Sequence, residues 1–93
     1  MISNINKFII FLVLISFKVY ANCNNTNFDN ANLAKVIFVG ANLFMASFKG
    51  ANLFEADLTG ANITNVIFDE ANLSHAIWID GKVCALGSVG KCN

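Results

Sequence analysis

The chain has 93 residues, no formal net charge at pH 7 and an apolar content of 56%. That length sets a ceiling of one small domain. The balanced charge lacks the basic surface that nucleic-acid binding uses, so no nucleic-acid partner is expected.

The first segment is unlike the rest. Lys7 and the free N-terminus supply positive charge, and Phe8–Phe17 is a nearly unbroken apolar run of ten residues. A spanning helix needs about 20 apolar residues, so the run suits the helical core of a secretory signal. Val19 and Ala21 are small residues at the −3 and −1 places of a cleavage site. Residues 1–21 are therefore predicted to be a signal peptide removed after Ala21. The expected destination is the periplasm or the exterior, with membrane contact only through that transient segment. An uncleaved short anchor, a buried core helix and a lipoprotein carrying its lipid on Cys23 are the competing readings. Asn22 stands where the last of these would want Gly, Ala or Ser. The remaining chain, Asn22–Asn93, holds four Lys, no Arg and six carboxylates, so it is mildly acidic. Residues 22–25 read as a polar linker.

From Thr26 to Asp80 the chain falls into eleven units of five without slippage. The third positions are Phe28, Leu33, Phe38, Leu43, Phe48, Leu53, Leu58, Ile63, Phe68, Leu73 and Trp78, all large and apolar. The first positions are Ala, Val or Thr throughout. A helix repeats its buried face every 3.6 residues and a strand every 2, so a sustained five fits neither alone. It fits a short extended side whose first and third residues point inward and whose second points outward, followed by a two-residue corner. No single unit can hide its own Phe or Leu, so the sides must coil and the coils must stack.

Four sides make a coil of 20 residues. At that spacing Asp29, Lys49 and Asp69 alternate in sign, and Lys35 stands beside Glu55 and His75. A three-sided coil would instead set Asp29 over Phe44 and Lys35 over Gly50. In the four-sided coil Phe28, Phe48 and Phe68 stack inside, as do Leu33, Leu53 and Leu73. Outside, Asn32, Asn52 and Asn72 form one amide ladder, and Asn42 and Asn62 another. Gly40, Gly50 and Gly60 fall at fifth positions, suited to corners of positive φ.

These units resemble the pentapeptide-repeat family, whose motif is A(D/N)LXX. Ala31-Asn32-Leu33, Ala41-Asn42-Leu43, Ala51-Asn52-Leu53, Ala56-Asp57-Leu58, Ala61-Asn62-Ile63 and Ala71-Asn72-Leu73 carry the resemblance. Ile37, Ile67 and Ile77 depart from it at the second position, and Trp78 replaces Leu at the last centre. The resemblance implies an all-β fold, a right-handed, four-sided (quadrilateral) β-helix, here of about 2.75 coils over residues 26–80. At about 4.8 Å per layer the stack is roughly 13 Å tall. Its open ends need capping, or they recruit other strands. Together with the type of signal, the family suggests a bacterial source.

Residues 81–93 leave the pattern at the Asp80-Gly81 turn signal. Cys84 and Cys92 flank a Gly-rich loop, which in an exported protein reads as a disulfide. The tail also resembles the W-x-D-G-x-x-C-x-x-G-S-x-G-x-C ending of some exported relatives. We expect a disulfide-closed cap over Leu73 and Trp78. A two-Cys metal clip lacks the four ligands zinc prefers, so no metal is expected. Cys23 is left over; it could link two chains, carry a lipid or stay a free thiol in a flexible leader.

No catalytic set and no cofactor site are expected. His75, the one His, falls at a solvated corner, and no phosphate-binding Gly loop is present. The positive feature is outward apolar residues. Ile37, Val39, Ile77 and Ile79 share one side, interrupted by Asp57 and Thr59, with Phe44, Met45 and Phe54 at or beside corners. This makes an exported non-enzymatic structural or protein-interaction module, binding an unknown protein or itself, the expected function. A secreted effector is an alternative. The family's DNA-mimicking, gyrase-binding members are a poor match, being long, acidic and cytoplasmic.

Overall fold

The computed structural model describes residues 22–93. The expected signal segment and its cleavage after Ala21 fall on residues 1–21, outside the described residues. From Asn22 to Asp80 every unit repeats one geometry: the second residue makes a parallel bridge, and the fourth and fifth form a turn. The bridges join residues 20 apart, as in Asn32 to Asn52 to Asn72 and Ile37 to Asp57 to Ile77. Four sides per coil follow. Side 1 comprises residues 22–25, 41–45 and 61–65; side 2, 26–30, 46–50 and 66–70; side 3, 31–35, 51–55 and 71–75; side 4, 36–40, 56–60 and 76–80.

Residues 22–25 were expected to be a linker and are instead the first unit of side 1. Asn22 bridges to Asn42, and the Cys23 N–H donates to the Asn42 carbonyl at 2.8 Å. Cys23 occupies a third position and is buried in the core, not held in a flexible leader. The thiol is small and apolar enough to line the interior where other units place Phe or Leu.

Four hydrogen bonds recur where one coil lies on the next, among them the fifth residue's donation to the fourth residue of the coil below, as Glu55 to Ser74 at 3.1 Å. The third residue donates to the second residue of the coil below, as Leu53 to Asn72 at 2.8 Å. The second residue of that lower coil donates back to the first, as Asn72 to Ala51 at 2.9 Å. Each corner closes on itself, as Ala56 to Leu53 at 3.0 Å. The corner's third residue has positive φ, the place where a type II turn favours Gly or Asn. Gly40, Gly50 and Gly60 meet this demand, but so do Lys35, Met45, Glu55, Glu70 and His75, all with φ near 60°. A left-handed residue with a Cβ costs roughly 1–2 kcal/mol, so the stacked bonds hold these corners against local preference.

Within the core Phe48 stacks on Phe28 at 4.9 Å and on Phe68 at 5.6 Å, nearly parallel in both cases. Phe38 meets Phe28 and Phe48 edge-on. Leu33, Leu43, Leu53, Leu58 and Leu73 are fully enclosed. The interior is thus filled by side chains.

The tail caps the lower end on two sides only. Val83 pairs antiparallel with Ile77 on side 4, and Val89 with Asn72 on side 3. Cys84 and Cys92 are joined by a disulfide, with Cα atoms 4.9 Å apart. Ser88, buried, ties the loop together: its hydroxyl donates to the Ala85 carbonyl and accepts from the Asn93 N–H. Leu73 is sealed beneath, and Trp78 is left half-buried.

Candidate interaction surfaces

The outer surface is built from second, fourth and fifth positions, so its chemistry is set by the repeat. Where the second residue is Asn or Asp, its side-chain oxygen accepts the N–H of the fourth residue. Asn52 to Phe54 at 3.1 Å and Asp57 to Thr59 at 3.0 Å are examples. The free amide of Asn then reaches the next coil. Asn72 donates to Asn52, and Asn52 to Asn32, at 3.4 and 3.3 Å. On side 1 the amide contact joins Asn42 to Asn22 at 3.2 Å. The side 1 amide contact thus joins Asn42 to Asn22 in place of the expected Asn42–Asn62 pair, whose link runs through the backbone while the Asn62 side chain accepts from Thr64.

Side 4 gathers Ile37, Val39, Ile77 and Ile79 as expected from the spacing, with Asp57 and Thr59 between them. All four are half-buried rather than open. Ile79 in addition packs against the core. At the last corner positive φ passes from the fifth residue to Gly81, while the Gly81 N–H closes the turn on Trp78 at 2.9 Å as in the other units. Phe44 and Phe54 do not join that face. Phe44 lies on side 1 at the corner leading to side 2, and Phe54 on side 3, where its ring meets His75 edge-on at 5.6 Å.

The widely exposed apolar residues are Met45, expected at a corner, and Ile67, Val83, Leu86 and Val89. Three of these sit on the cap, where the repeat pattern has ended and gives no cue to direction. Among the charged groups of the described residues, Lys35 and Glu55 form an ion pair at 3.8 Å. Asp29 is engaged differently from the expected pairing with the Lys49 ammonium. Its carboxylate accepts the Ser47 hydroxyl and the Lys49 backbone N–H. Burial pushes the Cys23 thiol above its ordinary pKa, which favours the neutral form.

A family model described as pentapeptide repeats matches residues 19–50 and 46–77, with eight copies. Among solved structures the chain is similar to HetL, a pentapeptide repeat protein involved in the regulation of heterocyst differentiation in the cyanobacterium Nostoc. The identity is 30% and the TM-score 0.55, over 69% of this chain and 32% of HetL. The chain therefore spans about a third of HetL's length. No curated protein matches it in sequence.

Proposed function

The chain belongs to the pentapeptide-repeat family, and from that premise we propose that it is an exported, non-enzymatic binding module, a rigid coil that presents a surface to another protein. Members of the family fold as right-handed quadrilateral β-helices, and the likeness to HetL supports that fold here. The observation that carries the proposal is the division of labour within the repeat. First and third residues fill the interior, and second and fourth residues are held by hydrogen bonds into a regular outer lattice. Such a surface binds without reorganising, which keeps the ordering cost of association low. Side 4 offers the apolar rows Ile37, Ile77 and Val83 across the Asp57 carboxylate. HetL, of the same family, is involved in regulating differentiation, a kind of role that a binding module serves.

Export is part of the proposal. The Cys84–Cys92 disulfide suits an oxidising compartment, and the sequence pattern of residues 1–21 suits a secretory signal. Two measurements test these points. N-terminal sequencing of the exported protein should begin at Asn22; a start at Met1 would contradict export by cleavage. Size-exclusion and pull-down of the exported fraction should differ between the native chain and an Ile37→Asp/Ile77→Asp variant. Unchanged size and unchanged partners would remove the case for side 4.

A further inference from the structure

The lower rim of the coil is filled on two sides and empty on the other two. On sides 3 and 4 the chain's own tail satisfies the last coil. Leu73, His75 and Trp78 donate to the carbonyls of Ser88, Cys84 and Lys82 at 2.8, 3.0 and 2.7 Å. The carbonyls of Ala71 and Ala76 accept from Gly90 and Cys84 at 3.0 and 2.8 Å. On sides 1 and 2 the corresponding groups are the N–H of Ile63, Asn65, Phe68 and Glu70 and the C=O of Ala61 and Val66. Among the described residues these six have no hydrogen-bond partner. The tail stops short of them. A Cβ on Gly90 would stand 3.8 Å from the Glu70 nitrogen, which marks the end of the open stretch.

The side chains above the open rim show the same vacancy. One coil higher, Leu43 and Phe48 are fully enclosed; at the rim Ile63 is half-buried and Phe68 is 9% exposed. We propose that this rim docks an extended segment of a partner protein, which adds a further layer to sides 1 and 2 and completes the cap that the tail begins. The inference rests on the reading of the chain as a binding module, and names a second surface for it.

The repeat dictates what the segment must be. One layer up, Asn62 donates to Ala41 and accepts from Leu43, and Thr64 accepts from Met45, all at 2.9 Å. Ile67 donates to Ala46 at 3.1 Å and accepts from Phe48 at 2.7 Å. Carried one layer down, the partner's second and seventh residues donate to Ala61 and Val66. Its second, fourth and seventh carbonyls accept from Ile63, Asn65 and Phe68. Its third and eighth side chains cover Ile63 and Phe68, so both are large and apolar, five apart, and each stands two places after a small residue. Main-chain bonds of this kind supply affinity, and the alternate side chains supply specificity.

A capped peptide with the sequence of Ala41–Gly50 satisfies every one of these requirements and serves as the probe. Titrated into isotope-labelled protein, it should shift and protect the amides of Ile63, Asn65 and Phe68 while leaving Leu73, His75 and Trp78 unchanged. N-methyl groups on its second and seventh residues should weaken binding at least tenfold. No saturable change at residues 61–68 would overturn the proposal. A response confined to side 4 would also overturn it while leaving the binding-module reading intact. Concentration-dependent protection of the same amides without peptide would assign the rim to a second copy of this chain and defeat the partner assignment.

Discussion

Replacing Phe48 by Ala removes the middle of the aromatic column. Its ring is fully buried, stacked on two neighbours at 4.9 and 5.6 Å and set edge-on to Phe38 at 5.9 Å. Truncating a buried Phe costs about 3–5 kcal/mol, and each well-placed aromatic pair adds about 0.5–1.5 kcal/mol beyond its area. At about 0.05–0.15 kcal/mol per residue, a domain of this size has a total stability of roughly 4–11 kcal/mol. Phe48→Ala should therefore cost about 3–5 kcal/mol, a large fraction of the total and enough to unfold the chain at the lower end of that stability range. Phe48→Leu keeps the apolar volume and should cost about 1–2 kcal/mol, the share of the lost ring contacts. Urea unfolding followed by circular dichroism and by Trp78 fluorescence measures both. Phe44→Ala is the control, since Phe44 lies on the outside and should cost under about 1 kcal/mol. Equal losses for Phe48→Ala and Phe44→Ala would refute the assignment of third positions to a stacked interior.

Other predictions concern the rim, the ladder and the buried thiol. A Cys84→Ala/Cys92→Ala variant should lose about 2–3 kcal/mol, from the nine-residue loop the bridge closes. Amide exchange should then speed up at Leu73, His75 and Trp78 before it does at Leu53; uniform acceleration would mean the tail is not a separate cap. Asn52→Ala removes a bond upward, one downward and the support of the Phe54 N–H, and should cost about 1–2 kcal/mol. Asn52→Asp keeps the last two, because a carboxylate still accepts from Asn72 and Phe54, loses only the donation to Asn32 and should fall between, as read from urea midpoints. Cys23 has its pKa raised by burial. Its contribution is therefore complete below the unfolded thiol's value of about 8.5 and is lost as pH rises from there through the native value. The stability gap between the native chain and Cys23→Ala should narrow from pH 7 to pH 10; a constant gap would place the thiol in water.

The period of five was legible because burial recurs at the same two places in every unit, whatever residue fills them. The unit at 22–25 escaped notice for a physical reason: its inward residue is Cys23, smaller than Phe or Leu, and the apparent cleavage site after Ala21 drew a boundary through it. Corners at Lys35, Met45, Glu55, Glu70 and His75 were also opaque, since nothing in those side chains asks for positive φ. The stack imposes it. The tail's Cys pair announced a closed loop. That the loop covers sides 3 and 4 and leaves sides 1 and 2 open depends on where Gly81 redirects the chain, and on the buried hydroxyl of Ser88. Neither has a signature outside the fold. Of the outward apolar set, Ile37, Val39 and Ile77 follow from spacing alone, whereas Phe44 and Phe54 need knowledge of which way each corner faces.

The coil's register is tested most directly by contacts between backbone protons in solution. Nuclear Overhauser effects should join Asn32 to Asn52 to Asn72 and Ile37 to Asp57 to Ile77, the bridged pairs of sides 3 and 4. Cross-peaks linking residues 15 apart, such as Asn32 to Ser47, or the short-range pattern of a helix, would contradict a four-sided stack and every surface assigned from it.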